Sequence, residues 1–333
     1  MRAARCETYG PPESVVVEDV PEPELPAGGA LVEVHAASVN YPDVLIVADE
    51  YQVSIPTPFT PGSEFAGVVV GAADDAGPVR VGDLVCGSTF IGAFAEQMAV
   101  PAAALTPVPS TVSFAEAASF GVVYSTAYHA LRSVAEVQPG EWVAVLGAAG
   151  GVGLATVDLA THLGARVLAA ASSDEKLAVC RERGAEAVVN YERDDLKVAM
   201  KELTGGGADV VIDPVGGPYA EPALRATRWG GRFVVVGFAS GEIPRIPLNL
   251  VLLKGVAVLG FQFIDFVTHA TDEYEAGEAE LSSLLAEGRA TPYVGANFAL
   301  DDVAAALRLV ADGNAIGKVV LDVRRPRVKP FRP

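Results

Sequence analysis

The stretch Trp142-Val-Ala-Val-Leu146, followed by Gly147-Ala-Ala-Gly-Gly-Val-Gly153, decides how this chain folds. Five consecutive apolar residues are typical of a strand that is buried on both faces, and the glycines after them permit a tight turn. The apolar segment from Val152 to about Leu163 then reads as a helix. A strand, a glycine turn and a helix in this order predict a phosphate-binding turn rather than an ordinary glycine-rich loop.

The same alternation of strand and helix continues downstream. The further predicted strands lie at Arg166 to Ala171, Ala187 to Val189, Ala208 to Asp213, Gly231 to Val236 and Val256 to Gln262. Strands that are separated by helices need right-handed crossovers, so they form a parallel, doubly wound sheet. Residues 1 to about 120 instead show short apolar runs broken by Gly and Pro, which indicates an irregular β-rich domain. A final strand, Lys318 to Asp322, is placed to rejoin that domain.

Composition excludes several classes of protein. The net charge of −18 argues against nucleic-acid binding, because phosphate contacts need a basic surface. No apolar run is long enough to cross a bilayer and no signal peptide is visible, so a cytoplasmic protein is expected. A solvated tail is the simplest interpretation of the basic residues at the end of the chain, Arg324, Arg325, Arg327, Lys329 and Arg332.

Cysteine and histidine are scattered rather than clustered. The three cysteines and four histidines show no CxxC or HExxH spacing, so we expect neither a disulfide framework nor a transition-metal site built by the protein. These residues are Cys6, Cys86, Cys180, His35, His129, His162 and His269.

The glycine turn and the end of the second strand together predict which dinucleotide binds. Gly150 allows a pyrophosphate to approach the backbone, and Gly153 lets the helix pack closely against the strand. An NAD site usually carries an acid at the end of the second strand, where this sequence has Ala171. Ser172 or Ser173 can donate hydrogen bonds to a 2′-phosphate and Lys176 can neutralise it, which favours NADPH. The alternative is a simple helix N-cap followed by the first-turn acids Asp174 and Glu175.

Together with these residues, several further short motifs make the chain resemble the quinone oxidoreductase (zeta-crystallin-like) branch of the medium-chain dehydrogenase/reductase family. The resemblance runs nearly end to end. It rests on Ala37-Ser-Val-Asn-Tyr-Pro-Asp43, Pro61-Gly-Ser-Glu-Phe-Ala-Gly67, Val81-Gly-Asp83, Ser125-Thr-Ala-Tyr128, Gly140-Glu141, Gly147 to Gly153, Gly184-Ala185, Asn190-Tyr191, Gly216-Gly217 and Gly317-Lys-Val-Val-Leu321.

This resemblance implies an α/β protein with two domains. A GroES-like β-rich catalytic domain is expected over residues 1–122 and 266–333, and a Rossmann NADPH-binding domain over residues 123–265. In zinc-dependent relatives three side chains hold a catalytic zinc. Their positions fall here near Asn40, at Ser63 and near Val122, so the resemblance implies zinc-independent chemistry.

The resemblance also implies roles for individual residues. Asn40 matches a residue that orients the nicotinamide end of the cofactor, and Tyr51 matches a tyrosine that lines the substrate cleft. Loop packing is the alternative role for Tyr51. Another common tyrosine of the family falls at Leu45 here, which argues against proton donation by a tyrosine. Further cofactor contacts are expected at Thr126, Ala148, Gly150, Gly151, Val152, Gly153, Ser172, Ser173, Lys176, Tyr191, Gly237, Phe238, Ser240 and Lys318.

The expected reaction is hydride transfer from NADPH to a quinone or another α,β-unsaturated carbonyl. The alternatives are an enoyl-thioester reductase that acts on acyl-CoA or acyl-carrier substrates, and a low-turnover NADPH-binding structural protein. Relatives commonly dimerise through the edge strand of the Rossmann sheet, so a homodimer is expected through Val256 to Gln262.

Overall fold

The computed structural model describes residues 1–324 of the chain, so most of the basic tail lies outside the described residues. The chain forms two units. The first unit contains residues 1–121 together with the described residues from Val294 onward, and the second contains Val122–Tyr293.

The N-terminal part of the first unit is mostly β-structure, with one two-turn helix. Its elements are β1 (Arg2–Cys6), β2 (Val15–Asp19), β3 (Gly29–Val39), α1 (Tyr41–Ala48), β4 (Glu64–Ala72), β5 (Leu84–Ser88), β6 (Gln97–Pro101), β7 (Leu105–Pro107) and α2 (Phe114–Ala117).

Strands and helices alternate through most of the second unit. Its elements are α3 (Gly121–His129), β8 (Trp142–Leu146), α4 (Gly151–His162), β9 (Arg166–Ala171), α5 (Asp174–Glu182), β10 (Ala187–Asn190), α6 (Leu196–Leu203), β11 (Ala208–Asp213), α7 (Gly217–Ala226), β12 (Thr227–Val235), α8 (Leu248–Lys254), β13 (Ala257–Gly260), α9 (Phe263–His269) and α10 (Thr271–Ala286). The chain then re-enters the first unit through β14 (Val294–Ala299), α11 (Val303–Ala311) and β15 (Lys318–Asp322).

The sheet of the second unit has the strand order β10-β9-β8-β11-β12-β13, and every neighbouring pair is parallel. This is the order of a Rossmann sheet, with the reversal of strand order beside β8. All five residues of β8 are buried, as expected for a strand that helices cover on both faces. The predicted doubly wound fold is therefore confirmed.

The larger sheet of the first unit has the order β14-β15-β3-β4-β5-β7, and β6 also pairs with β3. Its pairs are antiparallel except for the parallel pair of β14 and β15. The C-terminal strand β15 pairs with β3, with Val39 opposite Val319. The end of the chain therefore completes the sheet that its beginning starts, and the predicted GroES-like β-rich domain is confirmed.

One domain boundary differs from the prediction. Residues 266–293 were expected in the first domain and belong to the second unit. The cause is packing against α3, where Ser125 and Tyr128 donate hydrogen bonds to Glu278 and Glu280 of α10. The buried His129 also lies so close to Gly277 that a Cβ at that glycine would be 2.6 Å from its ring.

β13 forms one edge of the Rossmann sheet and is shorter than the predicted strand from Val256 to Gln262. It pairs with β12, and its Val258 is 45% exposed.

Within residues 1–324, none of the helices combines the length and the apolar character that a membrane span requires.

Candidate functional site

The glycine turn between β8 and α4 is shaped by close backbone contacts. Gly147 adopts φ 56°, a left-handed conformation that favours glycine, and its carbonyl accepts from the Gly150 N–H at 3.0 Å. A Cβ at position 153 would lie 2.2 Å from the Gly147 carbonyl oxygen and 2.7 Å from Ala148 Cα. Only glycine therefore lets α4 start so close to the end of β8.

The N-terminus of α4 offers hydrogen-bond donors to an anion. Gly150 is the N-cap residue and has no side chain to satisfy the first-turn N–H groups of Gly151, Val152 and Gly153. The partial positive charge of a helix N-terminus favours a phosphate at this position. In a parallel sheet, ligands bind at the carboxyl ends of the strands where the strand order reverses, and this turn lies there.

Ser172, Ser173 and Lys176 lie together after β9. Lys176 Nζ donates to Ser172 Oγ at 2.9 Å, and Ser173 Oγ caps α5 by accepting from the Lys176 N–H at 3.2 Å. Burial lowers the pKa of Lys176, an effect that the nearby carboxylates of Glu175 and Glu192 oppose. The Ser172 hydroxyl and the Lys176 ammonium therefore meet at the strand end where an NAD site carries an acid, and the Ser173 hydroxyl caps the helix that follows.

Tyr191 borders the same strand end, because Asn190 pairs with Ala171 in the register of β10 and β9. Its ring packs against that of Tyr219, with centroids 4.2 Å apart. Burial raises the pKa of Tyr191 to about 12, so its hydroxyl stays protonated at neutral pH. The half-buried ring and its hydroxyl offer one apolar and one polar contact.

Arg193 belongs to this cluster, although its sequence pattern carried no signal. Its Nη1 lies 3.0 Å from Asp174 Oδ2, and Asn190 Nδ2 donates to Asp174 Oδ1 at 3.1 Å. These hydrogen bonds lower the pKa of Asp174. The pairing of β10 with β9 places Arg193 beside Asp174. The register of these two strands would have been needed to predict this contact from the sequence.

Gly237, Phe238 and Ser240 follow β12 at the same edge of the sheet. They lie against the turn before α7, where a Cβ at Gly216 would be 2.8 Å from Phe238 and one at Gly217 would be 2.5 Å from Ser240 Oγ. Thr126 is buried in α3, also in the second unit. None of the described contacts links Thr126 to the turn after β8.

The first unit holds a separate buried polar cluster around Asn40. Asn40 Nδ2 donates to Glu64 Oε2 at 2.8 Å and to Ser63 Oγ at 3.3 Å, while Lys318 Nζ donates to Asn40 Oδ1 at 2.5 Å. Lys318 Nζ also lies 3.1 Å from Glu64 Oε2, and these two side chains are 3% and 2% exposed. Glu64 was not expected from the sequence; a lone acid in an otherwise apolar strand was its only signal.

Asp43 closes the loop that carries Asn40. Its Oδ2 accepts from the Asn40 N–H at 2.7 Å, which fixes the start of α1. Burial raises the pKa of Asp43 to about 7, against the opposing effects of the Asn40 N–H and of Lys318.

Tyr51 is half-buried against Phe90, with ring centroids 5.9 Å apart. Burial, with a smaller contribution from the charge of Asp43, raises the pKa of Tyr51. The tyrosine therefore remains a neutral hydroxyl that can donate a hydrogen bond.

The side chains around Asn40 form a mixed set of amide, hydroxyl, carboxylate and ammonium groups. Across residues 1–324, no group of three or more His, Cys, Asp and Glu side chains is arranged to hold an ion. Two of the positions that correspond to zinc ligands, Asn40 and Ser63, are joined by an N–H···O hydrogen bond, and the third, Val122, is apolar.

Comparisons with known proteins agree with this architecture. Residues 26–110 match the alcohol dehydrogenase GroES-like domain, and residues 151–282 match the family described as zinc-binding dehydrogenase. Quinone oxidoreductase-like protein 2 of Bos taurus is 40% identical over 328 residues, which are 97% of this chain and 93% of that protein.

Solved structures show the same fold over nearly the whole chain. The Escherichia coli quinone oxidoreductase complexed with NADPH is 27% identical, with a TM-score of 0.89 over 97% of this chain and all of that one. A probable oxidoreductase from Mycobacterium abscessus is 34% identical, with a TM-score of 0.87 over 97% of this chain and 99% of that one. The chain therefore belongs to the quinone oxidoreductases of the medium-chain dehydrogenase/reductase family.

Proposed function

We propose that this protein is an NADPH-dependent reductase that transfers hydride to a quinone or another α,β-unsaturated carbonyl without zinc. The main support for this proposal is the N-terminus of α4, where no side chain caps the first-turn N–H groups. The close approach of Gly153 to Gly147 places this N-terminus directly after β8. The identity of this chain as a quinone oxidoreductase relative supports the reaction class.

The preference for NADPH rests on the end of β9. Ala171 leaves no carboxylate where an NAD site holds the ribose diol, and Ser172, Ser173 and Lys176 supply donors and a cation for a 2′-phosphate. The relative from Escherichia coli binds NADPH in its solved structure.

The proposal excludes zinc because the residues present do not fit it, although one matching family is described as zinc-binding. An amide nitrogen whose hydrogens point at Glu64 and Ser63 has no lone pair for a metal, and an ammonium lies 2.5 Å from the amide oxygen. The proposed reaction therefore uses no metal.

The residues of the chain then act by binding and positioning. Bound NADPH would supply the hydride from C4 of its nicotinamide ring. In the second unit, the first turn of α4 would hold the pyrophosphate, Lys176 the 2′-phosphate and Thr126 the nicotinamide carboxamide. In the first unit, Asn40 would orient a nicotinamide ring. Tyr51 would border the acceptor, where hydrogen bonds stabilise the oxyanion that forms. Much of the rate would come from alignment of the ring with an acceptor that is already electrophilic.

The test is a comparison of acceptors and cofactors. NADPH and NADH oxidation, followed by the loss of reduced-nicotinamide absorbance, is measured with ortho-naphthoquinone, phenanthrenequinone and crotonyl-CoA in parallel. We expect NADPH oxidation with a quinone. Turnover of crotonyl-CoA alone would indicate an enoyl-thioester reductase, and stoichiometric NADPH binding without turnover would indicate a low-turnover binding protein.

We also propose that the protein is a cytoplasmic homodimer that pairs through β13. Unpaired edge strands that expose apolar side chains promote association, and Val258 of β13 together with Leu252 and Leu253 of α8 is exposed. Three cysteines that form no disulfide fit a reducing compartment.

Val258→Lys is expected to convert the dimer to a monomer, because it places a charge in the middle of the paired edge. Light scattering at micromolar concentration measures the mass. Val70→Lys is the matched control, since Val70 is a strand valine of similar exposure, 41% against 45%, in the first unit. A wild-type monomer, or a dimer that survives Val258→Lys, would refute the proposed interface.

A further inference from the structure

The register of three neighbouring strands brings Asn40, Glu64 and Lys318 together. Val39 of β3 pairs with Val319 of β15, which places the next residue, Asn40, opposite Lys318. On the other side of β3, Ser38 pairs with Glu64 of β4. An acid and a base that lie far apart in sequence thus flank one asparagine in a buried setting.

The chemistry of these neighbours allows only one orientation of the Asn40 amide. A lysine ammonium has donors and no acceptor, whereas a carboxylate accepts only. The amide oxygen must therefore face Lys318 Nζ, at 2.5 Å, and the amide nitrogen must face Glu64 Oε2, at 2.8 Å. A flipped amide would place N–H against N–H and oxygen against oxygen. The two ionic neighbours therefore determine which amide atom of Asn40 is the oxygen and which is the nitrogen.

This orientation uses both N–H groups of the Asn40 side chain inside the protein. One donates to Glu64 and the other to Ser63 Oγ, at 3.3 Å. Glu64 is held in turn, since its Oε2 also accepts from Ser38 Oγ and from Lys318 Nζ, each at 3.1 Å. What remains of the amide for a ligand is one lone pair of Oδ1.

We propose that Glu64 and Lys318 are positioning residues that make Asn40 a hydrogen-bond acceptor, not a donor, toward the nicotinamide riboside half of the cofactor. This inference rests on the proposed function. The ligand group that Asn40 meets must carry an N–H or O–H donor, which is either the carboxamide of nicotinamide or a ribose hydroxyl. In this proposal Lys318 acts through Asn40, whereas the sequence predicted a direct cofactor contact for it.

The decisive experiment separates cofactor binding from hydride transfer. The double variant Glu64→Gln with Lys318→Met removes the ion pair but keeps the net charge, and it leaves no single buried charge without its partner. The matched control is Glu13→Gln with Arg308→Met, which removes an exposed ion pair of the same unit. NADPH affinity is measured by fluorescence titration, and hydride transfer by single-turnover stopped flow with phenanthrenequinone.

We expect the Kd for NADPH of the site variant to stay within about threefold of the wild type, because the variant leaves the proposed phosphate contacts of Gly150 to Gly153 and Lys176 unchanged. Its hydride-transfer rate should fall by roughly 10- to 100-fold, since a misplaced ring loses alignment with the acceptor. The control variant should match the wild type in both measurements. A Kd that rises more than about tenfold would show direct cofactor contact and overturn the proposal, as would an unchanged hydride-transfer rate in the site variant.

A measurement on the protein without cofactor tests the orientation itself. The side-chain N–H groups of Asn40, assigned in nitrogen-15 spectra with the Asn40→Asp variant, should exchange slowly with solvent and shift in Glu64→Gln. Fast exchange in the wild type would overturn the proposal even if the double variant does not fold. Protected N–H groups in a protein that oxidises no NADPH would count against the proposed function and leave the orientation in place.

The source of the donor is identified with the reduced acetylpyridine analogue of NADPH, which has no amide N–H. If Asn40 accepts from the carboxamide, Asn40→Leu will slow hydride transfer from NADPH but not from the analogue. If Asn40 accepts from a ribose hydroxyl, Asn40→Leu will slow hydride transfer from NADPH and from the analogue alike. Equal rates for the wild type and Asn40→Leu with NADPH itself would overturn the role of Asn40 as an acceptor.

Discussion

Gly150→Ala is expected to raise the Kd for NADPH by about tenfold or more and to leave the melting temperature nearly unchanged. A Cβ at this position would meet only the Gly147 carbonyl oxygen at 3.4 Å, an ordinary contact, and the backbone φ of −76° suits alanine. We therefore expect the protein to tolerate the methyl group, whereas a pyrophosphate bound as proposed at the N-terminus of α4 would not. Hydrogen bonds to charged groups contribute about 1.5–3 kcal/mol each, so the loss of one accounts for an effect of this size.

Gly153→Ala should behave differently, although it adds the same methyl group three residues later. Its Cβ would lie 2.2 Å from the Gly147 carbonyl oxygen, so the backbone of the turn must move. We expect a lower melting temperature together with weak NADPH binding, at a cost of roughly 1–3 kcal/mol in the free energy of unfolding. Thermal melts and fluorescence titrations of both variants distinguish a steric block to the ligand from damage to the fold.

Gly71→Ala is the matched control for Gly150→Ala. Gly71 lies in β4 of the first unit, and a Cβ there would also meet its nearest neighbour, Leu31, at 3.4 Å. The control should keep the affinity for NADPH. If Gly150→Ala bound NADPH as tightly as the control, the turn would be an ordinary glycine-rich loop and the proposed pyrophosphate site would be wrong.

The Rossmann part of the fold was predictable because its signals are local. A parallel strand that is buried on both faces is a continuous apolar run, so β9 and β11 were located to the residue, as was β15 of the first unit. The glycine turn was also visible, since the close contacts of Gly150 and Gly153 are made with Gly147 and Ala148, only a few residues earlier.

The rest depended on contacts that a linear sequence does not show. Residues 266–293 join the second unit through the packing of α10 on His129 and Tyr128, and nothing near Gly277 indicates that partner. The position of Glu64 beside Lys318 follows from the pairing of β4 and β15 with β3, which joins the two ends of the chain. Arg193 was missed for the same reason.

Lys176→Met is expected to raise the Kd for NADPH by roughly 10- to 100-fold and to leave the Kd for NADH within about twofold, because only the 2′-phosphate distinguishes the two ligands. The loss should be larger than for an exposed lysine, since Lys176 is half-buried and held by Ser172 at 2.9 Å. Fluorescence titration with each cofactor measures the ratio, and the KM for NADPH should rise in parallel while kcat changes little.

Arg166→Gln is the control for the loss of one positive charge. Arg166 begins β9 at the end opposite Ser172 and pairs with Glu186 on the surface, so its removal should leave both affinities unchanged. If Lys176→Met also left the ratio of the NADPH and NADH affinities unchanged, another group would carry the 2′-phosphate. Arg193 would then be the next candidate, and it would have to leave Asp174, which it now neutralises. A preference of the wild-type protein for NADH would instead contradict the proposal that the residues at the end of β9 bind a 2′-phosphate.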